Sequence, residues 1–150
     1  MKMNNPDMSQ LAPILATMGI FAVIGALIGL AIAILILFLV YKCYVAIPEK
    51  HRKMSPGMVW LLLIPCFNLV WIFFVFPGLS KSFKSYFDSV GDNTVGDCGG
   101  LLALWYCILA VGSIPLSLVP FLGFLAGLAT LVLLIIFLVK SFGLKAKIKA

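Results

Sequence analysis

The chain has 150 residues, of which 63% are apolar and only 11% charged, with a net charge of +6. An average soluble domain carries about 25% charged residues, and a globule of this length buries only about 70% of the surface its chain exposes. A mean hydropathy of +1.19 therefore excludes a water-soluble enzyme, a disordered tail and a disulfide-rich toxin, and leaves an all-α integral membrane protein.

The polar N-terminus, residues 1–10, precedes residues 11–41, which carry no charge. A bilayer core takes about 20 helical residues, so this first span is over-long and tilts or projects beyond the lipid. It also exceeds the roughly 7–15 residues of a signal-peptide core, which makes it a retained span. No lipidation motif is present. Pro13 lies near its start, where proline is tolerated. Tyr41 and Tyr44 flank its end as interfacial anchors beside Lys42. Gly25, Gly29 and Ala33 repeat at four-residue spacing, a pattern that lets two membrane helices approach closely.

The first loop, 42–57, holds Lys42, Glu49, Lys50, His51, Arg52 and Lys53, with Pro48 and Pro56 as helix breakers. The second apolar run, 58–79, is long enough to span, but Pro65 and Asn68 interrupt its middle. Residues 79–90 are amphipathic. Leu79, Phe83, Tyr86, Phe87 and Val90 share one side against Lys81, Lys84, Ser85 and Asp88, which predicts a short helix lying in the interface. A polar loop with Asp92, Asn93, Thr94 and Asp97 follows. Residues 101–139 are again free of charge and read as two spans, 101–118 and 121–139, with Pro115, Pro120 and Gly123 marking the hairpin between them. Gly123 and Gly127 form a second small-residue pair. Ser113, Ser117 and Thr130 are mild polar residues able to bond their own helix backbone. Lys140, Lys145, Lys147 and Lys149 close the chain as a basic tail.

Cytoplasmic loops carry the excess of Lys and Arg. If all four apolar runs cross, Lys42, Lys50, Arg52 and Lys53 lie across the membrane from Lys2, Lys81, Lys84 and the tail. If 58–79 instead dips in and returns, every basic residue except Lys2 shares one side, and the N-terminus faces outward. Trp60 and Trp71 are equidistant from the point between Pro65 and Cys66, so folding there sets both indoles at similar depth. In that re-entrant hairpin Pro65 breaks the helix at the tip and the Asn68 amide caps freed backbone groups. The alternative is a fourth span kinked at Pro65. The fold class is thus three transmembrane helices, plus a re-entrant or kinked spanning segment, plus the interfacial helix, all in one membrane domain.

Candidate chemistry is sparse. Cys43, Cys66, Cys98 and Cys107 form no CxxC, and no Cys/His cluster offers metal or haem ligands. A disulfide through Cys43 or Cys98 requires an oxidising compartment. Asp88, Asp92 and Asp97 do not follow calcium-loop spacing. His51 has Glu49 nearby but no nucleophile, and reads as part of a basic, lipid-facing loop. No charge lies within a span, which argues against ion-coupled transport. No catalytic residue, cofactor, metal or nucleic-acid partner is expected. The expected contacts of Lys50, Arg52, Lys53, Lys81, Lys84, Lys140 and Lys145 are lipid headgroups.

The stretch from Trp60 through Ile64-Pro65 and Asn68-Leu69 to Trp71, followed by Leu79-Ser80-Lys81-Ser82-Phe83-Lys84, resembles a pattern in small bacterial multi-span membrane proteins with no assigned activity. The resemblance covers about a fifth of the chain and implies a bacterial inner membrane. Two functions fit the residues. One is a non-enzymatic oligomeric scaffold or accessory subunit of a membrane complex. The other is a pore-forming homo-oligomer with Pro65 and Asn68 at a re-entrant tip.

Overall fold

Prolines open three of the helical elements, at Pro56, Pro65 and Pro120. In the computed structural model, which describes residues 8–116 and 118–149, the elements are α1 (Met8–Ala46), a 3-10 arm (Pro56–Leu63), α2 (Pro65–Ser89), α3 (Gly100–Leu116) and α4 (Pro120–Lys149), with single 3-10 turns at Glu49–His51 and Asn93–Val95. Lys2 and Ser117 lie outside the described residues. No strand is present among the described residues. Four helices are long and apolar enough to cross a membrane. The chain divides into two compact units, Met1–Ile36 and Leu37–Ala150. Residues of α1 through Ile36 belong to the first and those from Leu37 to the second.

In the first unit no side chain from 11 to 36 is buried. Pro13 has no N–H to offer the preceding turn, and its own carbonyl accepts the Thr17 hydroxyl at 2.7 Å. An added Cβ at Gly25 or Gly29 would meet nothing within 4 Å.

The second unit has its own core. The closing turns of α1 supply Leu37, Val40, Cys43 and Tyr44 to it. That packing carries the helix to Ala46, past the end expected at Tyr41. Tyr44, expected as an interfacial anchor, is 0% exposed, and its hydroxyl donates to the Val75 carbonyl of α2 at 2.7 Å. Pro48 then holds the chain extended (φ −57°, ψ 143°).

The second apolar run breaks at Ile64, the residue before a proline, which is driven to extended backbone (φ −83°, ψ 112°). Pro65 takes the first position of α2, where its missing N–H costs no hydrogen bond. The fold point is therefore one residue earlier than expected. The 3-10 arm turns back along α2, burying Val59 and Leu62, and the Trp71 indole N–H donates to the Met58 carbonyl at 2.9 Å. Asn68 does not cap with its side chain. Its backbone N–H makes the first helical bond to the Ile64 carbonyl at 2.8 Å.

α2 continues unbroken through Pro77 and Gly78 to Ser89. No separate helix begins at Leu79, so the expected interfacial segment is the last part of α2. Gly78 serves packing: a Cβ there would lie 2.9 Å from the Tyr44 hydroxyl. The true stop is Gly91 at φ 76°, with Asp92 N–H donating to the Phe87 carbonyl at 3.0 Å and Gly91 N–H to that of Asp88 at 3.3 Å. This is the glycine-terminated helix end that satisfies two orphan carbonyls.

α3 packs on α2 through Cys107, whose thiol donates to the Ile72 carbonyl at 3.3 Å, and through the Phe76–Tyr106 ring pair at 4.7 Å. Phe137 of α4 joins the same Phe76 at 5.6 Å. The α3–α4 turn closes with Leu118 N–H on the Pro115 carbonyl and Val119 N–H on that of Leu116. α4 runs to Lys149 and does not end at Val139 in a tail, because Ser141 and Leu144 are buried and Phe142 and Ile148 pack against the core.

Candidate functional site

The polar side chains of the second unit gather along the C-terminal part of α2. Lys53 donates its backbone N–H to the Ser82 hydroxyl at 2.9 Å, and that hydroxyl donates to the Gly78 carbonyl at 2.7 Å. His51 lies one to two turns further along. Its Nδ1 is 3.3 Å from the Ser85 hydroxyl and its Nε2 3.2 Å from that of Ser89. The Ser89 proton is directed to the Tyr86 carbonyl, so Ser89 accepts from Nε2–H. The ring also stands edge-on to Tyr86 at 5.7 Å. His51 thus pins the first loop to α2.

Arg52, expected at the lipid headgroups, also makes bonds within the protein. Its Nε donates to the Ile47 carbonyl at 2.7 Å and its Nη2 to that of Val45 at 2.9 Å. It caps the C-terminus of α1, where the last carbonyls lack partners and a cation is favoured. Its ion pair with Glu49 spans 3.7 Å, with Glu49 largely exposed, and adds little.

The loop 91–99 joins the same end. Asp97 accepts from the N–H groups of Gly99 at 3.0 Å and Leu101 at 2.9 Å, capping α3. Lys140 reaches Asp97 at 3.3 Å, so this lysine too has a protein partner. Cys98 adopts φ 52° while buried. Asp92 accepts from the hydroxyl and the backbone N–H of Thr94, and these bonds hold its carboxyl below the usual carboxylate value. Lys145 lies over the Phe142 ring at 5.0 Å. Lys50, Lys53, Lys81 and Lys84 are exposed. The four cysteines are free thiols, with Cys66 alone exposed. No group of three metal-ligating side chains occurs among the described residues.

Beside these residues a cleft of about 530 Å³ opens between the 3-10 arm and α2, lined by Met58, Trp71, Phe74, Pro77, Lys53 and Lys81 among others. Trp71 is half-buried and stacks between Phe67 at 4.8 Å and Phe74 at 5.5 Å. Trp60 packs on Tyr41 at 6.4 Å. Asn68 and Pro65 lie in the first turn of α2, Asn68 half-buried and Pro65 exposed. Gly127 is open, and Gly123 is half-buried.

No family model, curated protein or solved structure matches this chain.

The capping roles of Arg52 and Asp97 and the Tyr44–Gly78 contact escape a reading by composition. Asp97 had a local signal, an aspartate three residues before an apolar run. Arg52 had a fainter one, a cation shortly after a helix end. The Tyr44–Gly78 contact joins residues 34 apart and has no local signature.

Proposed function

We propose that this chain is a non-catalytic membrane scaffold that self-associates through the Gly25, Gly29 and Ala33 face of α1, in a membrane that the sequence resemblance makes a bacterial inner one. One observation carries the reading. Residues 11–36 bury no side chain, and the space over Gly25 and Gly29 is vacant. In lipid, packing rather than hydrophobicity drives helix association, and small residues at four-residue spacing permit it. The test is energy transfer between donor- and acceptor-labelled copies in vesicles. Transfer should rise with mole fraction and fall several-fold in Gly25→Leu/Gly29→Leu. A chain that stays monomeric at high protein-to-lipid ratio ends the proposal. Scaffold vesicles should also hold an ion gradient; a leak abolished by Asn68→Leu would put a pore in its place.

The accompanying topology is three crossings plus a hairpin that enters and leaves on the basic side. Support comes from the Trp71–Met58 bond, which folds the arm back on α2, and from the first loop, the 91–99 loop and Lys140, which share contacts around α2 and α3. Single cysteines replacing Lys50, Lys84 and Lys147 should all label from one face, and one replacing Leu118 from the other. Opposite-face labelling of positions 50 and 84 would mean a crossing at 58–79.

A further inference from the structure

We infer that the cleft between the 3-10 arm and α2 is a binding site for one anionic glycerophospholipid. The phosphate lies between Lys53 and Lys81, and an acyl chain runs along Trp71 and Phe74.

The two ends of the cleft differ in chemistry. At one end are two exposed lysines, and no carboxylate lines the cleft. Glu49, the acid closest in sequence, faces Arg52. The lysines are held together by construction. The Lys53 backbone is tied to Ser82, the residue after Lys81, and Ser82 is tied back to Gly78. Two exposed cations, one on the first loop beside α2 and one on α2, with no carboxylate lining the cleft, favour an anion.

At the other end the surface is aromatic. Trp71 has one N–H, and Met58 already accepts it, so the indole offers the cleft only apolar surface. Phe74 is 56% exposed and Phe73 39%. Nothing on this wall asks for a polar ligand. A cationic end and an apolar end together describe an anionic amphiphile.

Dimensions agree with a lipid. Ten residues of helix separate Trp71 from Lys81, about 15 Å along the axis. That is about half the ~30 Å hydrocarbon core, the reach of one leaflet. The 530 Å³ volume falls within the range of small-molecule sites, about 300–1,000 Å³. The inference rests on α2 lying in the bilayer and is independent of self-association through α1.

The test uses the full chain carrying Trp60→Phe and Trp105→Phe, so that Trp71 is the sole indole, in phosphatidylcholine vesicles. Increasing fractions of phosphatidylglycerol with brominated acyl chains are added, and brominated phosphatidylcholine serves as the comparison. Phosphatidylglycerol should quench Trp71 at a much lower mole fraction. Each lysine near a phosphate is worth roughly fivefold in affinity, so Lys53→Gln/Lys81→Gln should raise the half-quenching fraction about twenty-five-fold. Both positions are exposed, so these variants fold; an unchanged Trp71 emission in phosphatidylcholine checks it. Lys84→Gln/Lys145→Gln should leave the preference intact. Gly25→Leu/Gly29→Leu should leave it intact as well, which separates this result from the scaffold test. Equal quenching by the two lipids overturns the site. So does a preference that survives loss of both lysines, or that falls equally with Lys84 and Lys145. Relief of quenching by inorganic phosphate would reassign the cleft to the free anion.

Discussion

The two units differ in composition and in habit: residues 11–36 carry no charge and a single aromatic, Phe21, while the other aromatic residues lie from Phe38 onward. Residues 11–36 are uncharged and bury nothing, whereas 37–149 build a core of Tyr44, Phe83, Phe137, Leu79 and Val75. The difference lies in the polar and small groups between the apolar ones. The second unit has Tyr44, Ser82, Gly78, His51 and Asp97 to fix backbone against backbone. Within residues 11–36, Thr17 bonds its own helix, and Gly25 and Gly29 meet no neighbour. Apolar content places a segment in lipid, but directional contacts give it neighbours, because lipid tails are as apolar as leucine.

The largest effect should come from removing a residue in one unit and its counterpart in the other. Tyr44→Ala deletes a fully buried ring and leaves the Val75 carbonyl without its tyrosine donor, a loss of about 3–5 kcal/mol. Phe21→Ala removes a ring that is 70% exposed and should change fold stability by less than about 0.5 kcal/mol. Reversible unfolding in mixed micelles measures both. Equal losses would erase the distinction between the units.

Arg52→Gln comes next. It removes a charged donor from the carbonyls of Ile47 and Val45, bonds of a kind worth about 1.5–3 kcal/mol when buried. Partial exposure at this site, 18% for the Arg52 side chain, brings the expected loss down to about 1–2 kcal/mol. Amide exchange should quicken in the last turn of α1 and not at residues 11–36. A uniform loss along α1 would show that the cap acts globally. Asp97→Ala is the parallel change at α3. The missing N-cap should cost about 1 kcal/mol. Asp97→Asn, which keeps one acceptor oxygen, should recover about half.

The legible features in the sequence were local. Apolar runs gave the long helices, and Ile64-Pro65 gave the break, because a residue before proline avoids helical backbone wherever it sits. Pro77-Gly78 carried an equally strong local stop, yet α2 passes through it. The glycine is there to admit Tyr44, a contact between residues 34 apart that no window along the chain contains. The same holds at the far end. Four lysines after Val139 look like a solvated tail, and only the burial of Ser141 and Leu144 between them extends α4. At the cleft, Trp71, Lys53 and Lys81 were visible singly as an anchor and two headgroup contacts. What brings Lys53 to α2 is the Ser82 hydroxyl, and what holds Trp71 against the 3-10 arm is the Met58 carbonyl; neither partner has a conspicuous sequence role.

The smallest expected effect is a pH dependence confined to the second unit. Asp92 accepts from the Thr94 hydroxyl and then its N–H, and Lys147 adds a favourable charge, so its carboxyl titrates below its ordinary value of 3.8. A carboxyl depressed by folding favours the folded loop while it is ionised. That contribution is complete above the unfolded value and fades as pH drops through the folded one. Thr94 amide exchange should therefore be constant near neutrality and quicken only under acid conditions below about pH 4. Asp92→Asn should flatten the profile, and Lys147→Gln should move its midpoint slightly upward. Residues 11–36 carry no ionisable side chain, so their exchange should follow the intrinsic pH dependence alone. An extra acid-induced opening there would mean that the loop's protonation is felt across the division between the units.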